Sequence, residues 1–120
     1  MTNGAAAVRK AGPMGKINIP KQDGSGKIKI KQFFVGDNAS VQFFNQTEGN
    51  VTVWIPNGGL LFYPPDGVSS NDIRLGIPAD TGLTLNVLSE HTNGDYRYSA
   101  FCEAIHDFAE GNSAPIISCH

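Results

Sequence analysis

Every patterned run in this chain is short. Apolar and polar residues alternate through Lys27 to Val35, Val41 to Asn45, Val51 to Ile55, and Leu83 to Val87. Each run stops within a few residues at a cluster of Gly, Pro, Asn or Asp. Period-two alternation puts successive side chains on opposite faces of a strand. Turn residues at this frequency allow no long helix between the runs. The chain is therefore all-β. At 120 residues it is one domain, long enough for a single core.

The strands can be placed along the sequence. Residues 1–15 are small, Gly-rich and unpatterned, and are expected to form a flexible tail. The domain then runs over residues 16–120. Lys16 to Pro20 reads as a short strand, followed by a turn at Asp23-Gly-Ser-Gly26. Lys27 to Val35 reads as a strand with Lys27, Lys29 and Lys31 on its solvent side. Val41–Asn45 and Val51–Ile55 follow, joined by a Gln46–Gly49 turn. Pro56 to Gly59 stops the ladder, and Leu60 to Tyr63 resumes it. Pro64 to Ile77 is the longest irregular stretch. Leu83 to Leu88, Tyr96 to Cys102 and Pro115 to Cys119 close the set, and Glu103–Glu110 has room for one helical turn. Seven or eight short strands with frequent turns point to a Greek-key β-sandwich.

Charge narrows the partners. The net charge is −2, and no basic face is evident beyond the three alternating lysines, so nucleic acid is an unpromising ligand. No apolar run approaches the roughly 20 residues needed to span a bilayer. The N-terminus lacks the apolar core of a secretory signal, which leaves an internal protein or a processed exported form. Three Asn-X-Ser/Thr triplets, at Asn38, Asn45 and Asn50, carry little weight without such a signal.

Three segments resemble the cupredoxin family, the fold of plastocyanin-like blue-copper proteins. Val41-Gln-Phe-Phe-Asn-Gln-Thr47 is similar to an early strand ending in Asn. Val51-Thr-Val-Trp-Ile-Pro-Asn57 is similar to the strand that ends in Pro-His-Asn. Gly94-Asp-Tyr-Arg-Tyr-Ser-Ala-Phe-Cys102 with His106 and Gly111 is similar to the hairpin that carries Cys, His and Met. Together they cover roughly residues 27–118. The resemblance implies a trigonal site of two imidazoles and one thiolate with a weak axial thioether. Cys102 takes the thiolate position and His106 the second imidazole. The first imidazole falls at Asn57, a poor ligand for copper, and no Met follows His106. The resemblance further implies that Asn57, Cys102 and His106 meet at one end of the sandwich.

Half of the ligand set is thus missing. The leading expectation is a non-enzymatic binding or structural domain without a cofactor, whose type 1 copper site has been lost. The partner is an unidentified protein or small molecule. Trp54, Phe62, Tyr63, Phe101 and Phe108 lie in or beside the candidate working loops. The alternative is a copper electron-transfer protein with an atypical site built on Cys102 and His106. Catalysis by a Cys102–His106 pair lacks a recognisable third residue or oxyanion hole. His91, Cys119 and His120 are expected at the far end, too distant to complete a site with Cys102. The same separation argues against a Cys102–Cys119 disulfide, which needs Cα atoms within about 7 Å.

Overall fold

The computed structural model describes residues 12–65, 71–109 and 114–120. They form ten strands, eight of four residues or more and two of two, with two single-turn 3-10 helices and no α-helix. The strands are β1 (Met14–Ile19), β2 (Phe33–Phe34), β3 (Ser40–Asn45), β4 (Val51–Ile55), β5 (Ile73–Ile77), β6 (Gly82–Asn86), β7 (Gly94–Arg97), β8 (Ser99–Cys102), β9 (Asp107–Phe108) and β10 (Ile116–Cys119). The fold is an all-β sandwich.

Three ladders build it. One sheet has the order β1-β3-β6, a second β2-β10-β7, and a third β5-β4-β8-β9. β1 runs parallel to β3, and β2 runs parallel to β10. The alternation seen in the sequence becomes alternation of burial. Val51, Val53 and Ile55 of β4 are buried while Thr52 and Trp54 are exposed. Val41, Phe43 and Asn45 of β3 face inward in the same way. A fully buried aliphatic or aromatic side chain contributes roughly 1.5–3 kcal/mol. A set of inward rows like these is what a small sandwich needs to offset its chain entropy.

One strand serves two sheets. From Gly94 to Arg97 the chain pairs with β10; from Ser99 to Cys102 it pairs with β4. The change falls at Tyr98, whose amide donates to the Pro115 carbonyl at 3.0 Å. The Tyr98 ring packs edge-on against Phe43 of β3, with centroids 5.8 Å apart. That contact ties the β1-β3-β6 sheet to the strand that joins the other two.

Four expectations need adjustment. Lys27–Lys31 alternates in burial as expected, with Ile28 and Ile30 buried and the lysines exposed, but the alternation breaks at Gln32, which is also exposed, and only Phe33–Phe34 joins a ladder among the described residues. Side-chain period alone does not guarantee a backbone partner. Leu60–Tyr63 does not resume a strand. Gly58–Leu60 forms a 3-10 turn, and only a single bridge, Phe62 to Val87, follows. Within the stretch read as irregular, Ile73–Ile77 is β5, paired along its length with β4. Its three buried apolar positions alternate with Arg74 and Gly76, a pattern hidden by the Pro- and Gly-rich residues before it. The tail expected over residues 1–15 falls mostly outside the described residues, but Met14 and Gly15 already pair with Ser40 and Val41.

Candidate functional site

Cys102 ends β8. It stands directly across the ladder from Val51 on one side and Asp107 on the other. Directly opposed residues point to the same face, so Val51 is the side chain beside the thiol on β4. Both are fully buried. The Cys102 thiol donates a long contact of 3.6 Å to the Ala100 carbonyl. Burial pushes the thiol up to about 11, and the nearby Asp107 carboxylate acts in the same direction. In this setting the thiol packs as a small apolar side chain.

The chain beyond Cys102 turns tightly. Glu103–Ile105 form a 3-10 turn, and His106 closes it in the left-handed conformation with φ 51°. The His106 amide donates to Glu103 O, and Asp107–Phe108 then fold back on β8. His106 is exposed. Imidazole and thiol therefore sit in one loop, as expected, but one faces solvent and the other the core.

Asn57 is elsewhere. β4 runs antiparallel to β8, so the start of β4, not its end, lies at Cys102. Asn57 is six residues beyond Val51, about 20 Å along an extended chain. It adopts φ 59° before the Gly58 turn, and its amide donates to Asp72 Oδ1 at 3.0 Å. It borders a shallow pocket shared with Leu60 and the Thr92–Arg97 segment. The expected meeting of Asn57 with Cys102 and His106 does not occur. The reason is topological: an antiparallel neighbour brings its first residue to the other strand's last. An antiparallel reading of the two segments would have pointed to Asn50 and Val51 instead. Asn50 indeed touches the loop, where its carbonyl accepts the Glu103 amide.

The remaining histidines and cysteine lie at the Asn57 end. Cys119 pairs with Gly94 across the ladder, and its thiol contacts Asn93 Oδ1 at 3.7 Å. His120 Nε2 lies 3.2 Å from Asp95 Oδ1. The Ser118 hydroxyl and His120 hold the Asp95 carboxyl below its usual range. His91 instead donates from Nδ1 to the Leu88 carbonyl at 3.0 Å. No disulfide joins Cys102 to Cys119. Among the described residues no three His, Cys, Asp or Glu side chains are grouped to hold a metal ion. Of the aromatics flagged in the sequence, Trp54 and Phe108 are exposed, whereas Phe62 is core.

A buried polar centre that the sequence reading passed over is Asn45. It is fully buried. Its amide donates to the Gly49 and Ile77 carbonyls, each at 2.8 Å. Its Oδ1 accepts from the Thr47 amide at 2.9 Å and from the Thr47 hydroxyl at 2.6 Å. The sequence signal was present, an inward-facing Asn closing an apolar alternation just before a turn.

No family model matches the chain, and no curated protein matches it. Among solved structures, Na-dithionite-reduced auracyanin from the photosynthetic bacterium Roseiflexus castenholzii is similar over 92% of this chain and 98% of its own, with a TM-score of 0.53 and 11% identity. Auracyanin is a cupredoxin. At that identity the likeness speaks for the fold alone. Together with the strand topology, it makes the architecture of this chain cupredoxin-like.

Proposed function

We propose that this is a non-enzymatic binding domain on a cupredoxin-like scaffold, one that does not build a type 1 copper centre. The observation that carries this reading is the setting of Cys102. A copper thiolate needs two imidazoles beside it and a thiol that gives up its proton. Here the neighbour across β4 is Val51, and the single imidazole of the loop faces solvent. The donor set does not fit the metal. Nor do a buried Cys102 and an exposed His106, with no residue hydrogen-bonded to orient the imidazole among the described residues, suit a nucleophile and its base.

Copper titration of the reduced protein tests the reading. With Cu(II) the solution should stay free of the intense visible absorption of a copper–thiolate bond, and desalted protein should carry no stoichiometric copper. An intense blue or green product retained through desalting would overturn the proposal. It would assign Cys102 and His106 to an atypical electron-transfer site instead.

A further inference from the structure

The charges of this chain are segregated. Residues 1–36 hold seven Lys or Arg and one acid, a balance of +6. The rest hold two Lys or Arg and ten acids, a balance of −8. In the fold, part of the basic set converges. Lys16 and Asn18 of β1 line a groove of about 450 Å³ together with Lys29, Lys31 and Phe33, the Lys16 ammonium itself lying over the Phe44 ring at 4.7 Å. Among the described residues no carboxylate lines it. Among the described residues Asp23 pairs with Lys29 alone, at 3.8 Å between exposed side chains, which leaves most of that charge in play.

Among the described residues, both walls present backbone without a ladder partner. β1 is an edge strand among the described residues. The Pro13 carbonyl accepts from Ala39 and the Ile19 carbonyl from Gln46. Polar groups alternate sides along a strand. The odd positions of β1 therefore face β3, and Lys16 and Asn18 turn their N–H and C=O groups outward. On the other wall, Ile28 and Ile30 anchor the chain in the core. Yet among the described residues no backbone hydrogen bond is formed by Ile28 through Lys31. The Asp23 side chain fixes the turn that delivers this segment, accepting from the Ser25 and Lys27 amides at 2.8 and 3.2 Å.

We propose that this groove receives an extended acidic peptide of a partner protein, which adds as a strand to the free edge of β1. Strand addition of this kind draws affinity from main-chain hydrogen bonds and selectivity from alternate side chains. Edge lysines deter pairing with another basic or neutral edge. The same lysines favour a strand whose outward positions are Glu or Asp. The chain's own N-terminal segment carries Arg9 and Lys10 and has the wrong sign. This inference extends the binding-domain reading but is independent of copper. The titration above can fail without touching the groove, and the reverse holds equally.

The test titrates the full chain with a seven-residue blocked peptide alternating Glu with Val and Thr, followed by two-dimensional NMR. A Lys-for-Glu version is the control. The acidic peptide should shift the amides of β1 and of residues 27–33, while the Lys version should shift none. Lys29→Gln with Lys31→Gln should weaken binding about tenfold. Asn18→Pro removes an outward N–H while leaving the β3 pairing intact. It should abolish binding with an unchanged thermal melt. Three results would overturn the proposal. One is the absence of binding. The second is acidic-peptide binding that survives Asn18→Pro, which would make the groove a charge effect only. The third is salt-sensitive self-association that disappears in the double Gln variant, which would assign the groove to a second copy of this chain.

Discussion

The contrast between Asn57 and Val51 decides what a ligand restoration can achieve. Asn57→His places an imidazole at the wrong end of β4, so the folded variant should remain colourless with Cu(II). Val51→His places one on the same face as Cys102, across a pair whose Cβ atoms are typically about 5 Å apart. That variant should lose about 2–3 kcal/mol, because an imidazole replaces a buried aliphatic group. Where it folds, it should give visible absorption with Cu(II). Parallel spectra and thermal melts of the two variants check both statements. The residues of the candidate loop were legible in the sequence; their partner was not. Cys102, His106 and their tight turn follow from local spacing. Which end of β4 meets Cys102 depends on whether two strands 40-odd residues apart run parallel or antiparallel, and local pattern carries no sign of that. A second consequence concerns pH. The Cys102 thiol is raised in the folded state from an ordinary value of 9.0 to about 11. A thiol raised on folding contributes its full stability below about pH 9 and loses it as pH climbs toward 11. Denaturant titrations should show a decline of about 2 kcal/mol across that window. In Cys102→Ala the decline should be smaller, on a lower baseline.

Among the elements, the β3–β4 connection has the most demanding chemistry. Asn45 links the end of β3, the turn to β4 and the end of β5 through both ends of its amide. Asn45→Ala strands the Ile77 carbonyl and the Thr47 amide, and leaves the Gly49 carbonyl only the Thr47 hydroxyl at 2.9 Å. It should cost about 3 kcal/mol in equilibrium unfolding. Asn45→Asp keeps the acceptor but loses the donor toward two carbonyls, and should be destabilised comparably. Thr47→Val, which leaves the Asn45 donor bonds in place, should cost about 1 kcal/mol. Strands with a clear inward row, such as Val51–Ile55 and Val41–Asn45, were readable because burial dictates their period. Ile28–Lys31 shows the limit of that logic. Its side chains obey the strand period because the core demands it, while its backbone finds no ladder among the described residues. Ile73–Ile77 shows the opposite error, a true strand concealed by the composition of its neighbours.

At the scale of the molecule, the two ends of the sandwich carry separate chemistry. Cys102 and His106 occupy one; Asn57, Asp95, Cys119 and His120 occupy the other. Mild oxidation should therefore leave the thiols unjoined within a chain. Mass spectrometry under denaturing, alkylating conditions should find both cysteines modified, with no intramolecular loss of two hydrogens. The placement of β10 has a different consequence. It is the middle strand of its sheet, between β2 and β7, and it pairs Ile117 with Phe33 and with Tyr96. On a growing chain, β2 thus waits more than 80 residues for the strand that will hold it. Closing so long a loop is entropically slow, and an apolar edge stays open meanwhile. Synthesis arrested before Ile116 would leave β2 and β7 without their shared neighbour, and such a nascent chain should be a target for proteases and chaperones until its last strand emerges.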